Sequence, residues 1–437
     1  MADACDSIRS KVHDLERQLA KTERFLPPEP GEKNLPKPSP NPEWTALSAQ
    51  LASTRVALRK CEEQIRRFTV TGDAFAGSIE LDAVVSRFMK AHDIRAMSVA
   101  IAREGTLSGN RGYTWALPSY PVTRPDTLFR VASVSKIFTA AAIDSLVKAG
   151  AIMFATPAFA FLGIADSLLP TQTPDPEVDR ITVLELATGK SGLRRDFGVD
   201  FRTIASRLGQ NVMPTRAQLV AYLYGEPLVA RPGAVDSYSN SAYTVLTSIV
   251  EKASGRRFID YVRQTVLQPL HLDDVRVGVT AANGRIPNEV STYEDSGVSP
   301  SQVDMAADAT APDAYGGQFA LENGEGAGGL ITSSGTVARF LATHAVWCIG
   351  PREFGARYGD LPGSGAAAVS RPDGIDFAYA FNRLVDDTHH DALVRQIHAT
   401  IDRHLAVKTD GGLGSIGVLI GTIAGTIRRW IALRLGR

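Results

Sequence analysis

The stretch Leu128-Phe129-Arg130-Val131-Ala132-Ser133-Val134-Ser135-Lys136-Ile137-Phe138 decides how this chain reads. A short extended run leads into Ser133, and a helical pattern leads out of it to about residue 148, stopping at Gly150. Lys136 lies three residues on, one turn later on the same helix face. That spacing brings an amine within reach of a hydroxyl at the positive end of a helix. A nearby base and a dipole aimed at a developing oxyanion are two requirements of an acyl-transfer nucleophile. Ser-x-x-Lys alone is a weak signal. Ser145-Leu146-Val147-Lys148 repeats it inside the same helix, and chance supplies about one match in a chain of this size. Position separates the two. Ser145 lies mid-helix, where backbone N–H groups are consumed by the helix, whereas Ser133 lies at a strand-to-helix junction with free N–H groups.

A second element follows in Arg231-Pro232-Gly233-Ala234-Val235-Asp236-Ser237-Tyr238-Ser239-Asn240-Ser241-Ala242-Tyr243. A tyrosine hydroxyl beside a lysine ammonium can have its pKa lowered and act as a general base. Asn240 can hydrogen-bond a substrate carbonyl and hold the lysine. The plain structural alternative is a loop before a helix, with Asn240 or Ser241 as N-cap.

With these motifs in order, the chain resembles the serine β-lactamase and penicillin-binding protein superfamily. The branch it is most similar to carries Tyr-x-Asn and includes class C β-lactamases, D-alanyl-D-alanine carboxypeptidases, D-aminopeptidases and β-lactamase-like carboxylesterases. Ile181-Thr182-Val183-Leu184-Glu185-Leu186, Ser191-Gly192-Leu193 and Gly326-Ala327-Gly328-Gly329-Leu330 extend the resemblance, which covers roughly residues 80–405. The family's third motif, Lys/His/Trp-Thr/Ser-Gly on an edge strand, is matched by Arg357-Tyr358-Gly359 before Asp360. Arginine can replace the cation that receives a substrate carboxylate or polar group. Tyrosine in place of a small hydroxyl residue is a departure, expected to narrow the site or remove a contact. By the family pattern, Ser133, Lys136 and Tyr238 are catalytic. Asn240, Arg357, Gly359 and Asp360 bind substrate, and the N–H groups of Ser133 and Asp360 hold the oxyanion. The resemblance implies two-step acyl transfer in which Lys136 and Tyr238 share the base role, with neither cofactor nor metal.

The remaining sequence sets the architecture. The segment 1–70 reads as a helical hairpin. Ile8, Val12, Leu15, Leu19, Thr22 and Leu26 form one seam, and Trp44, Leu47, Leu51, Thr54, Leu58, Cys61, Ile65 and Phe68 form another, with spacings of 3 and 4. A proline-rich stretch over residues 27–42 joins them. This pair either self-associates, docks a partner or lies on the main domain. Residues 74–408 form that main domain. A helix over 81–92 and a hairpin through Met97–Ala102 and Arg103-Glu104-Gly105 open it. A hairpin turning at Asp373-Gly374 and a helix over 391–404 close it. Strands at both ends with helices between predict an α/β or α+β fold, in which an antiparallel sheet is flanked by helices and joined by an all-helical subdomain. Residues 409–437 form a glycine-rich apolar tail. Gly417, Gly421 and Gly425 recur every four residues and Arg428, Arg429 and Arg434 follow, which makes it a candidate for membrane association.

The 437 residues are 44% hydrophobic, and 47 Lys+Arg balance 47 Asp+Glu, which argues against a nucleic-acid binder. Cys5, Cys61 and Cys348 are odd in number and scattered, so a disulfide framework is not expected. With the charged N-terminus, this places the protein in a reducing, cytoplasmic compartment. No Gly-x-Ser-x-Gly elbow is present. His389, His390, His398 and His404 read as surface or helix-end residues, and Arg194-Arg195 either lines the pocket or forms an exposed turn, with the turn favoured. Eight acidic residues against one basic over 281–325 predict disfavour of polyanionic substrates. The function this supports is a serine hydrolase on small esters or amides, with carboxylesterase favoured. The alternatives are a D-amino-acid peptidase or β-lactamase, and a catalytically weak scaffold.

Overall fold

The computed structural model describes residues 3–25, 41–166, 168–295, 297–347 and 349–405. The apolar tail and Cys348 lie outside them, as do residues 26–40. Among the described residues no helix is long and apolar enough to cross a membrane.

The two seams pair with each other. Helices α1 (Asp3–Leu19) and α2 (Pro42–Ile65) close Val12, Leu15 and Leu51 over a small core edged by Leu19, Leu47 and Leu58. Asn41 caps α2 by accepting the Glu43 N–H at 2.9 Å, with proline in the first helical turn, where its missing N–H is harmless. Cys5 near the start of α1 is disulfide-bonded to Cys61 near the end of α2, with 5.8 Å between Cα atoms, so the helices run antiparallel. This corrects the reading of the cysteines as unpaired. Cys61 is a seam position and Cys5 lies three residues before the seam residue Ile8, so the hairpin brings the two sulfurs together. The inference of a reducing compartment loses that support. The second seam also ends earlier than its spacing suggests. Phe68 leaves the helix for strand β1 (Arg67–Thr71), where its ring lies 6.0 Å from that of Tyr113.

After α3 (Ser78–Ala91), strands β2 (Ala96–Arg103) and β3 (Thr106–Ala116) turn through Glu104-Gly105, both at positive φ. The short β4 (Phe129–Arg130) enters a 3-10 turn, Ala132–Ser135, and then α4 (Lys136–Lys148). A region of short helices follows: α5 (Ala158–Leu162), α6 (Val183–Ala187), α7 (Phe201–Arg207), α8 (Arg216–Tyr224), the longer α9 (Asn240–Ser254) and α10 (Phe258–Tyr261). Side-chain caps from Thr182, Asp200, Thr215 and Ser239 start four of them. Strands β5 (Arg276–Val277), β6 (Val298–Pro300), β7 (Thr310–Pro312) and β8 (Leu330–Thr332) are minor. Then come α11 (Ser334–Phe340), β9 (Gly355–Leu361), β10 (Ser364–Ser370), β11 (Ile375–Phe381) and α12 (Asp387–His404).

One six-stranded sheet, β1-β3-β2-β11-β10-β9, antiparallel throughout, unites the two ends of the domain. Its two faces differ in side-chain size. Ala96, Ala100, Ala102, Ala366, Ala368, Ala378 and Ala380 face α11 and the helical region, and the small side chains allow close approach. Val99, Ile101, Tyr113, Phe377, Tyr379 and Phe381 face α3 and α12. Strand β9 is the free edge beside the turn that carries Ser133.

Candidate active site

Ser133 sits where the chain turns from β4 into α4. Ala132, directly before it, has φ +45, a left-handed conformation that costs a non-glycine residue on the order of 1–3 kcal/mol and persists only where its surroundings enforce it. Those surroundings are hydrogen bonds from Val131 N–H to Leu330 O at 3.1 Å and from Leu330 N–H to the buried Ser135 Oγ at 3.2 Å. Beginning in a 3-10 turn leaves the Ser133 N–H outside the helical ladder, at the positive end of α4.

Lys136 follows one turn on and is fully buried. Its Nζ lies 3.1 Å from Ser133 Oγ and 2.7 Å from Asn240 Oδ1, and donates to Ala327 O. That carbonyl is presented by the glycine-rich stretch after residue 325. A Cβ on Gly326 would lie 2.3 Å from Thr247 Oγ1 and 2.7 Å from Thr139 Oγ1, so only glycine lets this loop pack onto α4 and α9. Tyr238 OH is 2.5 Å from Ser133 Oγ. Ser239, rather than Asn240 or Ser241, is the N-cap of α9. This leaves the Asn240 side chain free to hold Lys136.

The sequence reading missed Asp196. Its carboxylate accepts from Asn240 Nδ2 at 2.8 Å, and because a carboxylate only accepts, the amide must turn its oxygen to Lys136. Arg195 is both exposed and part of the site: its guanidinium lies 5.0 Å over the Tyr238 ring and its carbonyl accepts the Asn240 N–H at 2.6 Å. Arg195 thus fits the pocket-lining alternative, whereas no spacing rule points to Asp196.

Electrostatics divide the two base candidates. Burial, followed by the charge of Arg357, holds the Lys136 amine well below its usual value of 10.5; Asp196 opposes and Arg195 assists. Burial pushes the Tyr238 phenol up despite its bond to Ser133 and the nearby Arg357 and Arg195. The expectation of a lowered tyrosine is therefore corrected: desolvation outweighs the neighbouring cations. The charges acting on the pair are two arginines and one aspartate. Of the carboxylates of 281–325, Glu289 accepts from Tyr293 and Glu322 from Thr280, and Glu325 pairs with Arg216.

The third motif lies on β9 as expected of an edge strand. Arg357 and Gly359 face the Ser133 turn. A Cβ on Gly359 would sit 2.2 Å from Val131 O and 3.0 Å from Ser133 N, so strand and turn touch backbone to backbone. Arg357 is buried over Trp347 with its guanidinium 4.4 Å from the ring, and its Nε donates to Val346 O at 2.8 Å. Among the described residues its Nη groups have no hydrogen-bond partner. Tyr358 does not narrow the site. Its side chain points to the opposite face and donates to Asp391 at 2.6 Å. The Asp360 carboxylate also turns away from Ser133, toward His390 Nε2 at 2.9 Å. His390 is buried in the first turn of α12, in keeping with the helix-end alternative, whereas His398 is half-buried mid-helix beside Arg371 with its imidazole pushed down to about 4 by burial, which corrects its reading as a surface or helix-end residue. Among the described residues no group of three or more His, Cys, Asp or Glu side chains could hold a metal ion.

The Beta-lactamase family model matches residues 81–419 of this chain. Among curated proteins, D-alanyl-D-alanine-carboxypeptidase/endopeptidase AmpH of Escherichia coli is 30% identical over 166 residues, covering 36% of this chain and 40% of AmpH. Protein flp of Staphylococcus aureus is 24% identical over 228 residues, 51% of this chain and 42% of flp. The matches therefore span about two fifths of these relatives' lengths. Two solved structures share the fold. D-amino acid amidase from Ochrobactrum anthropi has a TM-score of 0.55 at 17% identity, covering 75% of this chain and 99% of that one. The class C beta lactamase from Rhodobacter sphaeroides has a TM-score of 0.53 at 16% identity, covering 74% and 99%.

Proposed function

Because this chain belongs to the beta-lactamase family, we propose that it is a serine hydrolase that forms an acyl-enzyme on Ser133 and cleaves small carboxylic esters. The observation that carries this reading is the convergence of Lys136 Nζ, at 3.1 Å, and Tyr238 OH, at 2.5 Å, on one partly exposed serine hydroxyl.

A neutral Lys136 gives two hydrogens to Asn240 Oδ1 and Ala327 O and keeps its lone pair for the Ser133 hydroxyl proton. Lys136 takes that proton as Oγ attacks the carbonyl carbon. The oxyanion is received by the N–H of Ser133 and, by family analogy, that of Asp360. Tyr238 remains protonated and stands beside Oγ, so it passes its proton to the departing alkoxide and is reprotonated from the Lys136 ammonium. Deacylation runs the same relay with water in place of the alcohol, and the carboxylic acid leaves.

A second reading is hydrolysis of amides or peptides that carry a free carboxylate. It is favoured by the Nη groups of Arg357, which among the described residues make no hydrogen bond, and by the relative named as a D-alanyl-D-alanine-carboxypeptidase/endopeptidase. Parallel assays with p-nitrophenyl butyrate, a chromogenic cephalosporin and the amide N-acetyl-D-alanyl-D-alanine, the last two of which carry a free carboxylate, separate the readings. The ester reading expects kcat/KM for the butyrate to exceed the other two by at least about 100-fold. Equal or faster turnover of the amide or cephalosporin would replace it with the second reading.

A further inference from the structure

Among the described residues strand β9 has a partner on one side only, β10, yet it must hold Arg357 and the Asp360 amide at a fixed height over Ser133. Register separates its side chains. Arg357 and Gly359 stand opposite Ala368 and Ala366, on the face toward the helical region. Tyr358 stands opposite Ala367, on the face toward α12. There two consecutive residues of α12 meet two alternate residues of the strand. The Tyr358 hydroxyl donates to Asp391 Oδ1 at 2.6 Å. His390 Nε2 lies 2.9 Å from Asp360 Oδ1, and its Nδ1 lies 2.8 Å from the hydroxyl of Tyr379 on β11. The imidazole is fully buried, stacked 4.8 Å from the Tyr358 ring and 5.4 Å from that of Phe381. The Asp360 carboxylate only accepts, so Nε2 carries the hydrogen, and the neutral imidazole takes the Tyr379 hydroxyl hydrogen at Nδ1. That fixes the tautomer with Nε2–H directed at the Asp360 carboxylate and makes one polarised chain, Tyr379 to His390 to Asp360.

We propose that His390 and Asp391 are positioning residues: from behind the sheet they clamp Asp360 and Tyr358, and so set the edge strand that supplies the oxyanion amide and the Arg357 cation. The departure of Tyr358 from the family's small hydroxyl residue is then half of a matched pair with Asp391. The inference rests on the serine hydrolase reading of the same site. His390 touches no reacting atom and acts only through β9, where a displacement of an ångström is enough to cost turnover.

The test uses the full chain as wild type, His390→Leu, His390→Gln and Tyr358→Phe, read by amide hydrogen exchange of the β9 peptide and by p-nitrophenyl butyrate kinetics. His390→Leu is expected to speed exchange in β9 and to lower kcat by about 10- to 100-fold with KM moving less than about threefold. His390→Gln, which can still donate to Asp360, is expected to recover most of both. Tyr358→Phe removes only a hydroxyl and keeps the test valid if His390→Leu does not fold. It is expected to change both readouts in the same direction, by less. Unchanged β9 exchange in both His390→Leu and Tyr358→Phe, or no recovery in His390→Gln, would overturn the clamp. A wild-type chain with protected β9 but no turnover of the butyrate would instead count against the ester reading of the site.

Discussion

At the residue scale the chemistry turns on which of two buried groups is neutral. Lys136 can accept the Ser133 proton only as the free amine, so kcat/KM should rise with pH through the lysine's own pKa, which lies well below 10.5. The sign of each neighbour then follows. Arg357 lowers that pKa, so Arg357→Met should move the acidic limb of the profile to higher pH. Asp196 raises it, so Asp196→Asn should move the limb to lower pH. A pH–rate series on the two variants checks this, and a limb that stays in place in both would assign the titration to another group. Ser133, Lys136, Tyr238 and Asn240 were legible in the sequence because a motif fixes residue type and spacing together. Asp196 and the Ala327 carbonyl were not, since each acts through a contact made across the fold. The direction of the tyrosine shift was also misread, because the depth at which a hydroxyl is buried leaves no mark on a motif.

Short elements carry the next scale. The strand-turn-helix around Ser133 was readable from the change of hydrophobic period, but the positive φ of Ala132 was not, since alanine gives no turn signal. The third motif was placed on the right strand, whereas the direction of Tyr358 needed the register against β10. The hairpin shows the opposite balance: its seams were clear, and the scattered cysteines hid a bond that the antiparallel pairing creates. Cross-linking positions 56 residues apart is worth about 4 kcal/mol in the chain-entropy account. Cys61→Ser should therefore speed proteolysis within α1. Ester turnover should be unchanged, because among the described residues no hydrogen bond joins α1 or α2 to Ser133, Lys136, Tyr238 or Asn240. A loss of turnover that matched the loss of protection would tie the hairpin to the site.

For the whole molecule, strands from residues 67–116 and 355–381 form one sheet, and everything between them is carried on its alanine-lined face. The sequence indicated this plan by placing its strands at the two ends of the domain. It gave little detail between them, because helices of four to nine residues show too few turns for a period to emerge. The apolar seams of α1 and α2 are buried against each other within one chain. Removal of residues 1–65 should accordingly leave the sedimentation coefficient consistent with the same number of chains per particle. A fall in that number would show that the hairpin also pairs between chains. The central claim concerns one atom, Ser133 Oγ, and intact-protein mass spectrometry after treatment with a fluorophosphonate tests it most directly. A single adduct that maps to Ser133 and is lost in Ser133→Ala is the predicted result. No adduct on the wild-type chain, or an adduct that persists in Ser133→Ala, would contradict it.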